Sequence, residues 1–273
     1  MILEIGTEDL VEYSFSVILV ITIFGLLFGS FISMLVYRLP LGISLFNPKR
    51  SSCPNCKYTI KWYENIPILS YIFLKGKCAN CKDKISIIYP IIEFTTVTIT
   101  LLLFINIGLN IEFLTITLLF YTLITLSFID FKYKAVPDYL LILALIIASF
   151  SANFDFQSAL MFAGGFVILE LFITYYIQNI KAKILKNDSL KDQVSLGEGD
   201  IPIVAIIGGV LGIKLALIGI MLSAFLAIIP AILNSFIKKD IETPFIPYLS
   251  LALLLVYLNQ ELIINSLTGQ YSI

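Results

Sequence analysis

Histidine is absent from all 273 residues. Its absence removes Ser-His-Asp triads, Cys-His dyads and HExxH zinc hydrolysis together. Any hydrolytic chemistry must then rest on carboxylates or on a Ser-Lys pair. Charge is also scarce: Asp, Glu, Lys and Arg make up 14% of the chain, net charge is -1, and nothing marks a nucleic-acid binder. The four cysteines all fall within residues 53–81, which reads as a local metal site and not as a general disulfide framework. The opening segment Met1 to Tyr13 carries Glu4, Glu8, Asp9 and Glu12. It lacks the basic start and small-residue cleavage site of a signal peptide, so the first apolar run is expected to stay as a membrane span. What the chain has in excess is apolar surface, with 59% hydrophobic residues and a mean hydropathy of +0.96. A soluble core of this size could not bury it, and the lipid bilayer is the expected surrounding.

Apolar runs of a length to cross about 30 Å of hydrocarbon, roughly 20 helical residues, recur from Ser14 to the C-terminus. Eight candidates stand at 14–37, 87–108, 113–129, 139–153, 158–178, 201–213, 215–237 and 245–263. Two of them, 139–153 and 201–213, are short and adjoin acidic residues, which is itself suggestive of a site. With the N-terminus outside, seventeen of the 18 basic residues fall in loops on the cytoplasmic side, from Arg38, Lys49 and Arg50 to Lys186, Lys191, Lys238 and Lys239, and only Lys214 falls outside. The expected fold is an all-α polytopic membrane protein with about eight transmembrane helices. Its parts are an N-terminal segment and first helix (1–37), a cytoplasmic four-cysteine loop domain (38–86) and a membrane-embedded domain (87–273). The loop domain is too small to fold on apolar burial alone and calls for a metal or a membrane contact. No internal repeat is evident.

Cys53-x-x-Cys56 and Cys78-x-x-Cys81 offer four thiolates at the spacing of a structural, tetrahedral zinc site. Lys57 and Lys82 follow each pair and place positive charge beside a dianionic centre. Two disulfides are the alternative, disfavoured in a reducing compartment. A catalytic zinc is less expected, because four thiolates leave no open position.

Asp130 ends the third apolar run and Asp200 closes Gly197-Glu198-Gly199-Asp200 just before the sixth. An ionised carboxylate at such a place is costly unless it lines a wet cavity or finds a partner. Two held together would share one proton, one acting as base toward water while its protonated partner polarises a carbonyl. Gly197 and Gly199 would let a backbone approach the acid closely. Asp200 also reads as a helix N-cap with Pro202 in the first turn, as does Asp138 after Pro137. No capping role serves Asp130, which sits where the helix dipole disfavours an acid.

These residues resemble the prepilin peptidases of type IV pilus and type II secretion systems. The resemblance rests on Gly29-Ser30-Phe31, Tyr37-Arg38-Leu39-Pro40, the cysteine loop, and Trp62-Tyr63-Glu64-Asn65-Ile66-Pro67. It continues in Tyr89-Pro90-Ile91-Ile92-Glu93, Asp130 with Pro137-Asp138, Gly197-Glu198-Gly199-Asp200, and Pro244-Phe245-Ile246-Pro247. It implies a bacterial inner-membrane enzyme that removes the basic leader of prepilins and pseudopilins after a glycine at the cytoplasmic face. It implies as well that many members then methylate the new N-terminus from S-adenosylmethionine. Carried over by position, Asp130 and Asp200 are the catalytic aspartates and Cys53, Cys56, Cys78 and Cys81 the zinc ligands. One departure is that the family pattern continues GxGD-x-K, whereas Ile201-Pro202 follows here. No glycine-rich cofactor loop is visible, and Glu64 and Glu93 are candidates for the methyl-transfer site by proximity alone. Two other classes remain: a peptidase without methylation, and a proton- or cation-coupled transporter. The transporter would be expected to show inverted repeats and acids nearer the midplane, which the sequence does not.

Overall fold

A computed structural model describes residues 15–45, 50–185, 197–237 and 243–268. The segment before residue 15 and Lys49, Lys186, Lys191, Lys238 and Lys239, used above to set orientation, lie outside the described residues. Among the described residues the regular structure is helical, apart from two isolated antiparallel bridges. The chain forms two compact units, Met1–Pro137 and Asp138–Ile273.

The first unit holds α1 (Phe15–Arg38), α2 (Ile88–Ile107) and α3 (Ile111–Tyr133). Glycines one helical turn apart set the crossing of α1 and α2. A Cβ on Gly25 would lie 3.0 Å from the Cα of Val97, and one on Gly29 would lie 2.8 Å from the Cα of Glu93. Small residues at this spacing let two backbones meet where no hydrophobic effect drives helices together. The second link is polar: Thr100 of α2 and Tyr121 of α3 share a hydrogen bond of 2.8 Å, and Phe28 of α1 stacks on the Tyr121 ring at 5.1 Å. Asn110 caps α3 by accepting the Phe113 N–H at 2.7 Å.

The second unit holds α4 (Asp138–Ser149), α5 (Phe156–Tyr175), α6 (Asp200–Ile237), α7 (Ile246–Leu258) and α8 (Gln260–Thr268). α5 runs on through a π-helical stretch, Tyr176–Lys181, into Ala182–Leu185. α4, α5 and α7 all pack on α6. Asp155 caps α5 by accepting the backbone N–H groups of Gln157 and Ser158, and the Ser158 hydroxyl donates to its other oxygen.

α6 is not one rod. Gly212 takes φ 70°, ψ 173° inside it, a conformation open to glycine alone at no steric cost. Gly219 lies against Leu211 and Ile207, at 3.5 and 3.6 Å from an ideal Cβ. A continuous helix would leave these residues about 12 Å and 18 Å away, so the chain turns back at Gly212 into two helices, 200–211 and 213–237. The break frees the Gly209 carbonyl, which accepts the Asp155 N–H at 2.8 Å. That bond matters because an unsatisfied backbone group in hydrocarbon costs several kcal/mol, on the order of a whole hydrogen bond.

Five helices among the described residues are long and apolar enough to cross a membrane, and α7 with α8 forms a pair bent by 70°. With α4 and the two halves of α6 taken separately, each of the eight apolar runs expected from sequence is helical. The two short runs are short in the structure as well: α4 has 12 residues, and the helix 200–211 spans about 18 Å.

Candidate functional site

The cysteine loop is built as two matching hairpins. Ser52 pairs with Thr59 and Lys77 with Lys84. The Cys53 N–H donates to the Tyr58 carbonyl and the Lys57 N–H to Cys53, while the Cys78 N–H donates to Asp83 and the Lys82 N–H to Cys78. Lys57 and Lys82 both hold positive φ, 58° and 62°. The chain thus repeats its backbone path here at an offset of 25 residues. The sequence carries the same short repeat, Cys-x-Asn-Cys-Lys-x-x-Ile at 53–60 and again at 78–85, which corrects the reading that no internal repeat is evident.

The hairpins bring all four sulfurs within 4.8 Å of one another. Cys53 and Cys81 Sγ atoms are 3.8 Å apart and those of Cys56 and Cys78 are 3.9 Å apart. These separations are far from a disulfide bond of about 2.05 Å, and all four cysteines are free thiols. Backbone N–H groups aim into the cluster: that of Tyr58 holds the Cys56 thiol down to about 6, and those of Cys81 and Asn80 lower Cys78. The Asp83 N–H favours the Cys81 thiolate too, yet burial and the neighbouring thiols outweigh it and push Cys81 up to about 12. Thiols this close cannot all ionise unless a cation joins them, and the cluster can hold a metal ion.

Two further acids of the first unit have local partners. Glu64 accepts the Lys61 N–H at 2.9 Å and the Tyr58 hydroxyl at 3.3 Å, closing the short 3₁₀ turn Trp62–Asn65. Glu93 is buried in α2 and accepts the Ile68 N–H at 2.7 Å as well as a hydrogen bond from Ser30 of α1. Asn65 reaches the same Ser30 hydroxyl at 3.4 Å. Ser30, Asn65 and Ile68 carried no signal in the sequence that would join them to Glu93.

Asp130 lies in the last turns of α3 and is 8% exposed. The helix ends just beyond it, where Lys134 takes a left-handed conformation and donates its N–H to the Asp130 carbonyl at 2.8 Å. In the second unit Asp200 is 7% exposed and is the first residue of α6. Its N–H closes a turn onto the Gly197 carbonyl at 2.9 Å. A Cβ on Gly197 would sit 3.4 Å from the Asp200 Oδ2: an alanine would fit, but it would cover one face of the carboxylate. Asp138 opens α4 in the manner of Asp200.

Two family models match consecutive parts of the chain: the bacterial peptidase A24 N-terminal domain over residues 23–107, and the type IV leader peptidase family over residues 117–232. A prepilin leader peptidase/N-methyltransferase of Bacillus subtilis is 32% identical over 259 residues, covering 90% of this chain and 96% of that protein. The chain belongs to the type IV leader peptidase family. Proteins of the same description from Legionella pneumophila, 29% identical over 96% of this chain and 98% of theirs, and from Neisseria gonorrhoeae, 31% identical over 79% and 82%, agree. No solved structure matches it. As a member of this family the chain is an enzyme, and its apolar helices make it a multi-pass protein of the bacterial inner membrane. The first family model contains the cysteine cluster and the α1–α2 crossing; the second contains both Asp130 and Asp200.

Proposed function

We propose that this protein is an aspartic endopeptidase that removes the basic leader of type IV prepilins or pseudopilins after a glycine, with Asp130 and Asp200 as its catalytic pair. The carrying observation is that each aspartate is less than a tenth exposed and stands at the end of an apolar helix. One carboxylate takes a proton from water while the other, protonated, donates to the scissile carbonyl; the two then exchange roles as the amine leaves. Gly197 keeps one face of Asp200 open to an extended substrate strand. The site faces the cytoplasm with the N-terminus outside, on the strength of the basic loops. Three functional segments follow, with 1–37 as first span, 38–86 as metal domain and 87–273 as peptidase.

The four thiolates hold a structural zinc. A tetrahedral site with Zn–S bonds of about 2.3 Å has sulfurs about 3.8 Å apart, the separation of Cys53 from Cys81. Purified protein is expected to carry about one zinc per chain. Replacing Cys53 and Cys78 together by Ser should remove it; retention of the metal by that variant, measured by elemental analysis, would assign it elsewhere.

Cleavage is followed by methylation of the new N-terminus from S-adenosylmethionine, as the names of the relatives support. A cleft beside the hairpins, about 160 Å³ and lined by Arg50, Ser51, Ile60, Lys61, Trp62 and Asn65, does not suit that donor, because its two cations repel a sulfonium. No residue is assigned to the donor. The deciding experiment incubates a prepilin with membranes containing the enzyme and labelled S-adenosylmethionine, then weighs the product. Loss of the leader with a gain of about 14 mass units is expected. Cleavage without that gain identifies a peptidase alone, and an intact substrate overturns the assignment.

A further inference from the structure

We infer that the segment Trp62–Phe73 is an interfacial element that lies in the bilayer surface, its apolar side chains among the acyl chains and its cationic cleft on phospholipid phosphates. The first observation is depth. α2 has 20 residues, a length of about 30 Å, which the hydrocarbon core alone uses up. Its first residue therefore stands at the hydrocarbon boundary. Glu93, five residues further and about 7.5 Å inside, accepts the Ile68 N–H. Asn65 is tied in the same way to Ser30, eight residues and about 12 Å inside the end of α1. Both links draw residues 65–68 down to the level of the boundary or below it.

The second observation is how the chain reaches that depth. Ile68 holds φ 61°, ψ -50°, a region almost closed to a β-branched residue. The Leu69 N–H bonds the Pro67 carbonyl at 2.6 Å across it, making a strained γ-turn. This turn points the Ile68 N–H at the Glu93 carboxylate, which answers it away from water.

The third is what the segment shows on its outer side. Trp62 is 76% exposed and Phe73 80%, and Leu69 and Ile72 are exposed between them. A soluble hairpin of this size has no reason to present them together. Aromatic side chains with a polar edge favour the headgroup level, and a short amphipathic element there lies in the plane of the membrane. Charge agrees: residues 50–87 hold seven basic side chains against two acids, Glu64 and Asp83. Arg50 and Lys61 line the cleft that includes Trp62 and Asn65, where a phosphate group would meet them.

Trp62 is the sole tryptophan of the chain, so its fluorescence reports this segment without labelling. Full-length protein in phospholipid vesicles should emit to the blue of free tryptophan. It should lose most of that emission to lipids brominated near the headgroup end of the acyl chain, and less to lipids brominated near the terminal methyl. Emission quenched by neither lipid overturns the inference: aqueous acrylamide then reaching Trp62 would mean a hydrated loop, and acrylamide excluded would mean cover by protein. Leu69→Asp with Phe73→Asp should shift the emission red and weaken the shallow quenching, as should Arg50→Glu with Lys61→Glu to a smaller extent. Unchanged emission in the first pair removes the apolar contact, and in the second pair the phosphate contact. None of these readings depends on peptidase activity.

Discussion

Asp130→Asn and Asp200→Asn should each abolish cleavage of a co-expressed prepilin, lowering the rate by about 10²–10⁴-fold or more. An amide has nearly the size and shape of the acid, so the buried helix ends keep their packing while the capacity to take up and release a proton is lost. The loss should therefore appear in turnover and not in the thermal unfolding of the purified protein. Asp138→Asn is the matched control, since Asp138 opens α4 as Asp200 opens α6, and it should retain measurable activity. Either of the first two variants processing substrate at the wild-type rate would refute the aspartate pair. The double variant should be no slower than the singles, because groups that work as one unit are not additive.

Gly29→Leu should strongly destabilise the first unit. Even the Cβ that alanine adds would lie 2.8 Å from the Cα of Glu93, and a backbone atom cannot swing aside as a side chain can. The α1–α2 crossing must open, at about 1–3 kcal/mol or more. The natural comparison is Gly164→Ala in α5, where nothing lies within 4 Å of an added Cβ. There only helix propensity acts, and alanine should gain about 1 kcal/mol. Opposite shifts in the unfolding midpoint of the two variants, in the same detergent, are the expected result. Gly29→Leu melting with the wild type would mean that α1 and α2 do not meet as closely as described. Because Glu93 at this crossing also holds Ile68, the same substitution should raise the exposure of Trp62 to acrylamide.

The long apolar runs and the cysteine spacing were legible in the sequence because both are local patterns. Length against bilayer thickness fixes the first, and ligand count fixes the second. Gly212 shows the limit of such reading. The apolar pattern is almost unbroken around it, and the only marks are one glycine and Lys214, so the expected break fell a residue or two late. Glu64 and Glu93 were conspicuous as acids beside motifs, yet each is held by a backbone N–H group, one of them 25 residues away. No periodicity encodes such a pairing. The matching hairpins were legible in part, since Cys, Asn, Cys, Lys and Ile recur 25 residues apart; the repeated hydrogen bonding and positive φ that go with them were not. Asp130 stood out because nothing in helix capping explains it, whereas Asp200 and Asp138 looked alike in sequence and open their helices alike in the structure.

α4, which packs on α6, and the helix 200–211 are each about 18 Å long, in a membrane whose core is about 30 Å thick. Hydrophobic mismatch of that size cannot be absorbed by tilt, which only shortens a helix's reach. The neighbouring lipids have to compress, or headgroups and water have to follow the helix ends inward. One of those ends begins with Asp200. A locally thinned leaflet would deliver solvent to a carboxylate at membrane depth without any channel, and it would do so most readily in thin bilayers.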